Sequence, residues 1–176
     1  MRLLLPLPTF VLLLAACAGD EATSPAALDR IPMLAKGGGG AVVVSGSGHL
    51  TFTQATTDWR SFSFHVVIDE DGAARGRYQL HARQSLLESV HHGDIVCATV
   101  VGNAAWMVGV NTKSTNPGAP PGTYTTWRVI DNGEGAGDPP DEISLMGVGI
   151  INPPPFCVNL PGTPVFPIEA GNIQIH

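Results

Sequence analysis

Positive charge is scarce in this chain. Nine Lys and Arg stand against fifteen Asp and Glu among 176 residues, a formal net charge of −6. A surface of that sign repels a phosphate backbone, which excludes nucleic acid as a partner. Helix-favouring charged runs are missing, and so is any internal repeat. The usual catalytic signatures are missing too. Ser45-Gly46-Ser47-Gly48 lacks the first glycine of a Gly-x-Ser-x-Gly elbow. Gly37 to Gly40 has no Gly-Lys-Ser/Thr ending, so it is no phosphate loop. Only three Cys occur, and neither Cys97 nor Cys157 has a Cys or His neighbour at zinc-like spacing. No apolar run is long enough for a membrane-spanning helix.

What is present begins at the N-terminus. Arg2 precedes a short apolar core that ends in small residues at Ala15-Ala16, the layout of a secretory signal over residues 1–16. Leu14-Ala15-Ala16-Cys17 resembles a bacterial lipoprotein lipobox. The resemblance implies that Cys17 becomes the first mature residue and carries lipid on its thiol. Several acyl chains then anchor the chain stably, since each buried CH2 contributes roughly 0.8 kcal/mol. Gly19, where an Asp would retain such a protein in the inner membrane, implies forwarding to the outer membrane or cell surface. With Cys17 lipidated, Cys97 and Cys157 remain as an even pair, which in an oxidising compartment suggests one disulfide. Closing that loop would stabilise by roughly 4 kcal/mol on chain-entropy grounds. Of the nine basic residues, one (Arg2) leaves with the signal, so the mature surface is more acidic still.

Residues 17–40 read as a flexible tether, polar at first and closed by Gly37 to Gly40. A coil of that length spans roughly 25 Å and lifts the domain off the lipid. Residues 41–176 read as one all-β domain. Ala41 to Val44 and Gly48 to Gln54 are extended. Trp59 to Glu70 alternates Phe62, Phe64, Val66 and Ile68 against Ser61, Ser63 and His65, so one face is apolar. Asp69-Glu70-Asp71-Gly72 is a turn, with Gly72 able to take positive φ. Ala73 to Arg83 returns as the partner strand, and residues 84–89 connect onward. His92 to Val101 and Ala104 to Asn111 carry apolar residues on both faces and are expected to be the most buried hairpin. Further strands are expected at Thr123 to Asp131, Glu142 to Ile151 and Gly171 to His176, with residues 152–167 irregular. The total is about eight strands in a single antiparallel β-barrel, with a two-sheet β-sandwich as the alternative.

Beyond the anchor, the domain resembles a group of uncharacterised secreted bacterial proteins. The shared segments are Phe62-Ser63-Phe64 before a Gly-containing turn, Val100-Val101-Gly102-Asn103 before Ala105-Trp106, Val129-Ile130-Asp131-Asn132-Gly133-Glu134-Gly135 followed by Pro140-Asp141, and the terminal Gly171-Asn172-Ile173. The resemblance implies a fold and no mechanism.

The chain's densest chemistry lies between Val129 and Leu145, where Asp131, Glu134, Asp138, Asp141 and Glu142 meet no Lys or Arg. Asp131-Asn132-Gly133 explains itself as a turn. Glu134, Asp138 and Asp141 are candidates for a weak calcium site, because hard cations take carboxylate oxygens. Paired carboxylates in the 131–142 loop would also suit a small envelope hydrolase acting on glycans. Histidines 49, 65, 81, 91, 92 and 176 are a second set; His65 and His81 share a hairpin, where exposed histidine on the wet face is the simpler reading. Arg75, Arg77 and Arg83 form a basic stripe suited to an anion or headgroup, or merely to solvent. The preferred reading is a lipid-anchored envelope protein whose β-domain binds or scaffolds a small molecule, a glycan or a protein without catalysis. An open interior would favour a small-ligand binder, and a filled one a scaffold.

Overall fold

The computed structural model describes residues 41–51, 58–152 and 155–176. The signal-like segment, Cys17 and the tether fall outside them. The described chain is all-β apart from one helical turn. In order the strands are β1 (Val42–Thr51), β2 (Trp59–Ile68), β3 (Ala74–Gln84), β4 (Leu87–Val101), β5 (Ala104–Ser114), β6 (Tyr124–Ile130), β7 (Glu142–Ser144), β8 (Gly147–Ile150), β9 (Val165–Pro167) and β10 (Ala170–Ile175), with α1 (Phe156–Asn159) before β9. They form one antiparallel sheet in the order β10-β1-β2-β3-β4-β5-β6-β7-β9, while β8 also pairs with β6. The sheet curls as a half-barrel around a single core.

Alternation in the sequence decides which face turns inward. Phe62, Phe64, Val66 and Ile68 on β2 are buried, as are Tyr78, Leu80 and Ala82 on β3. Met107 on β5, Trp127 and Val129 on β6 and Ile173 on β10 complete the interior. Each large side chain so buried contributes roughly 1.5–3 kcal/mol. Glycines opposite the aromatic rings make the curvature possible. A Cβ on Gly46 would lie 2.7 Å from the Phe64 ring, and one on Gly93 would lie 2.3 Å from the Tyr78 ring. The rings occupy the room that those side chains would need.

Several expectations change in detail. The strand expected over Glu142 to Ile151 breaks into β7 and β8, because Leu145 and Met146 bulge out of the ladder and Met146 turns into the core. The connection expected at residues 84–89 is instead a two-residue hairpin turn at Ser85 and Leu86, both with positive φ, so β4 begins at Leu87. The proline-rich segment contributes β9 at the sheet edge, where Pro167 has no ladder bond to lose. Among the described residues the strands therefore number ten rather than about eight.

The β4–β5 hairpin carries apolar residues on both faces; β5 is largely buried, while on β4 Val96 and Val101 stay exposed and the outer face is covered only around Cys97 and Trp106. Cys97 on β4 is bonded to Cys157 on α1, as the cysteine count suggested. Thr99 Oγ1 donates to the Cys157 carbonyl at 3.0 Å, and Trp106 Nε1 donates to the Pro161 carbonyl at 3.0 Å. Arg128 lies 4.8 Å over the Trp106 ring, a cation–π contact that seals this small second layer.

Candidate functional site

The acidic loop joins β6 to β7 at one end of the sheet, and β10 passes beside it. Val43 and His176 exchange backbone bonds in the β1–β10 ladder (3.2 and 2.9 Å). Alternation in an antiparallel pair then points the N–H groups of Ile173 and Ile175 away from β1, toward the loop. Both are met by carboxylates. Ile175 N–H donates to Asp131 Oδ2 at 2.9 Å, and Ile173 N–H donates to Asp141 Oδ2 at 2.7 Å. Two aspartates thus stand where a neighbouring strand's carbonyls would stand.

The other oxygens are also engaged. Asp131 Oδ1 accepts from Gly133 N–H at 2.9 Å, the turn bond expected of Asp-Asn-Gly. Asp141 is buried, and its Oδ1 accepts from Asn132 N–H at 2.8 Å. Its carbonyl accepts from Ile168 N–H at 2.9 Å. Glu134 accepts from Asn172 Nδ2 at 2.9 Å and from Gln174 Nε2. Those two donors, Gln174 first, hold the Glu134 carboxyl below the usual carboxylate range. Asp138 accepts from Gly135 N–H at 2.7 Å, and Glu142 sits in the β7 ladder opposite Ile130. Of the calcium candidates, Glu134 is turned to β10 side chains, Asp138 to its own loop and Asp141 to backbone amides. Among the described residues, no cluster of three or more His, Cys, Asp or Glu is arranged to hold a metal.

The basic stripe lies on the outer face and is met by acids. Arg75 contacts Asp69, Arg77 faces Asp94 at 3.8 Å, and Arg83 faces Glu88 at 3.8 Å. His65 is exposed on the same face, and His81 meets the edge of Trp59 at 4.7 Å between centroids. A groove of about 610 Å³ runs there past Ser63, His65, Arg77 and Asp94.

The opposite end of the sheet is open. A cavity of about 440 Å³ lies between β2, β3, the start of β4 and β8. Arg60 continues the inward alternation of β2, one step beyond Phe62, and lines this cavity. Its Nη1 donates to the Met146 carbonyl at 2.9 Å. Burial lowers the Arg60 pKa, and the charge of Asp58 opposes that shift. His91 also lines the cavity and is buried. Its Nε2 lies 3.1 Å from Ser89 Oγ and its Nδ1 3.1 Å from Ser114 Oγ. Burial first, then the charges of Arg60 and His92, hold the imidazole below its ordinary pKa, so it is neutral at pH 7. Leu80, Ala82, Met146 and Val148 supply the apolar wall.

A buried polar cluster fixes the far rim. Asn111 Nδ2 donates to Thr123 Oγ1 at 2.9 Å and to the Ala119 carbonyl at 3.3 Å, tying down the loop that carries Asn116 and Pro117. The Tyr78 hydroxyl donates to Asn111 Oδ1 and lies 2.9 Å from Thr125 Oγ1. Burial pushes its pKa up to about 12, so it stays a donor. Arg60 and Asn111 were not among the residues singled out from the sequence, and His91 was one histidine among six. The signal for Arg60 was there: it lies in phase with Phe62, Phe64 and Val66.

Compared with known proteins, the chain matches no family model, no curated protein and no solved structure.

Proposed function

We propose that this is an exported, lipid-anchored protein of the cell envelope, whose domain over residues 41–176 is a non-catalytic binding module. Its ligand site is the open end of the sheet. The observation that carries this reading is the division of polar groups between the two ends. Asp131 and Asp141 of the acidic loop are taken up as acceptors for the chain's own backbone donors, whereas Arg60 and His91, which also bond within the chain, line a cavity of about 440 Å³. That size lies in the range of small-molecule sites. The carboxylate bridge from the acidic loop to β10 supports a barrel over a two-sheet sandwich, because it joins the sheet's first strand to the loop beyond its seventh.

Arg2, the apolar core and Leu14-Ala15-Ala16-Cys17 support the anchor. The tether that follows gives the module reach from an outer-membrane or surface leaflet. Radiolabelled palmitate fed to cells making the full chain should enter the protein, and Cys17→Ser should abolish both labelling and sedimentation with membranes. A Cys17→Ser protein that still sediments with membranes would sink the anchor.

A further inference from the structure

We infer that the open end of the sheet docks on a phospholipid bilayer, with Leu86, Leu87 and Ile151 entering the lipid interface. This assigns a surface to that end and stands apart from whatever ligand its cavity takes.

The connections of an antiparallel sheet alternate between its two ends, and here the ends differ in charge. The β2–β3 turn carries Asp69, Glu70 and Asp71, and the β6–β7 loop carries Asp131, Glu134, Asp138 and Asp141; neither holds Lys or Arg. The β3–β4 turn and the β5–β6 loop lie at the open end, and residues 85–86 and 115–123 hold no charged side chain. What they present instead is Leu86 and the exposed prolines Pro117, Pro120 and Pro121. Leu86 is 69% exposed and Leu87 beside it 77%. Ile151 emerges at the same end and is 81% exposed, because it follows Ile150, which pairs with Tyr124 at the start of β6. Leu87, Pro117 and Val148 line one cavity, so this apolar rim surrounds a single mouth.

Charge, area and backbone each favour lipid. A bilayer with anionic headgroups repels the carboxylate end and accepts the uncharged one, which orients the domain. Three protruding side chains fall well short of the roughly 800 Å² per partner that a stable protein interface buries, whereas a few apolar residues suffice to bind a lipid interface. Leu86 has φ 70° and Ser85 has φ 51°, a pair of positive angles that hairpin turns ordinarily give to Asn and Gly. Leucine at such a tip adds backbone strain to apolar exposure, and burial in lipid offsets the exposure. The chain before β1 leaves from the acidic end. Residues 17–40 can extend to about 80 Å, more than twice the run of β1 at about 3.3 Å per residue. A chain held at Cys17 can therefore lay its rim on the same bilayer.

Depth-dependent quenching tests this on the full chain carrying Cys17→Ser, which lacks the lipid. Bimane is placed on Pro121→Cys at the rim or on Glu70→Cys at the acidic end, with vesicles of phosphatidylethanolamine and phosphatidylglycerol containing doxyl-labelled lipid. The Pro121 probe should be quenched and the Glu70 probe should not. Leu86→Gly with Leu87→Thr should weaken vesicle partitioning about tenfold or more, as expected when leucines are withdrawn from lipid. Glycine takes the positive φ without strain, so the melting transition should not fall. Ile151→Asn, outside any strand, should weaken partitioning independently, so the test does not depend on the hairpin variant folding. Quenching at neither probe, or equal quenching at both, overturns the inference. So does partitioning that survives both sets of substitutions. Sedimentation showing a Leu86-dependent dimer without vesicle binding would overturn it too, and give the rim to a second copy of the chain.

Discussion

At one end of the sheet Asp131 and Asp141 give their oxygens to the backbone of β10 and of their own loop; at the other, Arg60 and His91 face a cavity. Both ends place ionisable groups next to the core, with opposite results. The acidic end is saturated: each oxygen of the buried Asp141 has an N–H donor. A carboxylate held that way is a structural acceptor. At the open end Arg60 and His91 also bond within the chain, to the Met146 carbonyl and to Ser89 and Ser114, and they line a cavity with a largely apolar wall. The densest run of charged residues in the sequence is the end whose carboxylates bond within the chain. Carboxylates cluster where β10 needs acceptors, and the open end carries only a sparse set of inward polar groups.

The largest expected effect breaks the acidic end. In Asp141→Asn the amide nitrogen replaces one acceptor, so a buried backbone N–H faces a donor. The loss should be about 3 kcal/mol, the order expected when a buried donor loses its partner and a charge-assisted bond is lost with it. Urea denaturation measures it, and a change under about 1 kcal/mol would mean that the bridge to β10 is dispensable. A smaller change, of opposite sign, is expected at the open end. Leu86→Gly relieves the positive φ and should stabilise by about 1 kcal/mol while removing part of the apolar rim. A destabilised Leu86→Gly protein would show that the leucine packs better than its exposure indicates.

The smallest effects are in pH, and they separate the ends by window. His91 has a folded pKa lowered from 6.5, so the unfolded chain binds its proton first. Its contribution is fully present above pH 6.5 and is lost as pH falls from there toward the lowered value. Glu134 has a folded pKa lowered from 4.5, so its contribution is present above 4.5 and is lost as pH falls through the depressed value. Denaturation midpoints between pH 3 and 8 should show both declines. His91→Gln should flatten only the upper one and Glu134→Gln only the lower. If either variant flattened both, the two ends would be coupled rather than separate.

Much of the fold was legible because period-two alternation is a local signal. Phe62 to Ile68, the Asp69 to Gly72 turn, with Gly72 at φ 85°, and the apolar β4–β5 hairpin all stand where the pattern put them. The disulfide was legible by counting, once Cys17 was set aside. The breaks were harder. Nothing in Glu142 to Ile151 announces that Met146 leaves the ladder, because burying its side chain depends on a partner strand distant in sequence. Ser85 and Leu86 carry no turn signature, so the tight hairpin followed from the register of β3 with β4.

By itself the sequence determined an all-β chain, its inward faces, its acidic balance and a lipobox-like start. Those follow from composition and from neighbours a few residues apart. Only the tertiary structure decided what the charged groups face. Asp141 and Ile173 meet across 32 residues, and Arg60 and Met146 across 86. A carboxylate's role depends on whether a backbone donor or a cavity lies in front of it, and contacts between distant strands set that.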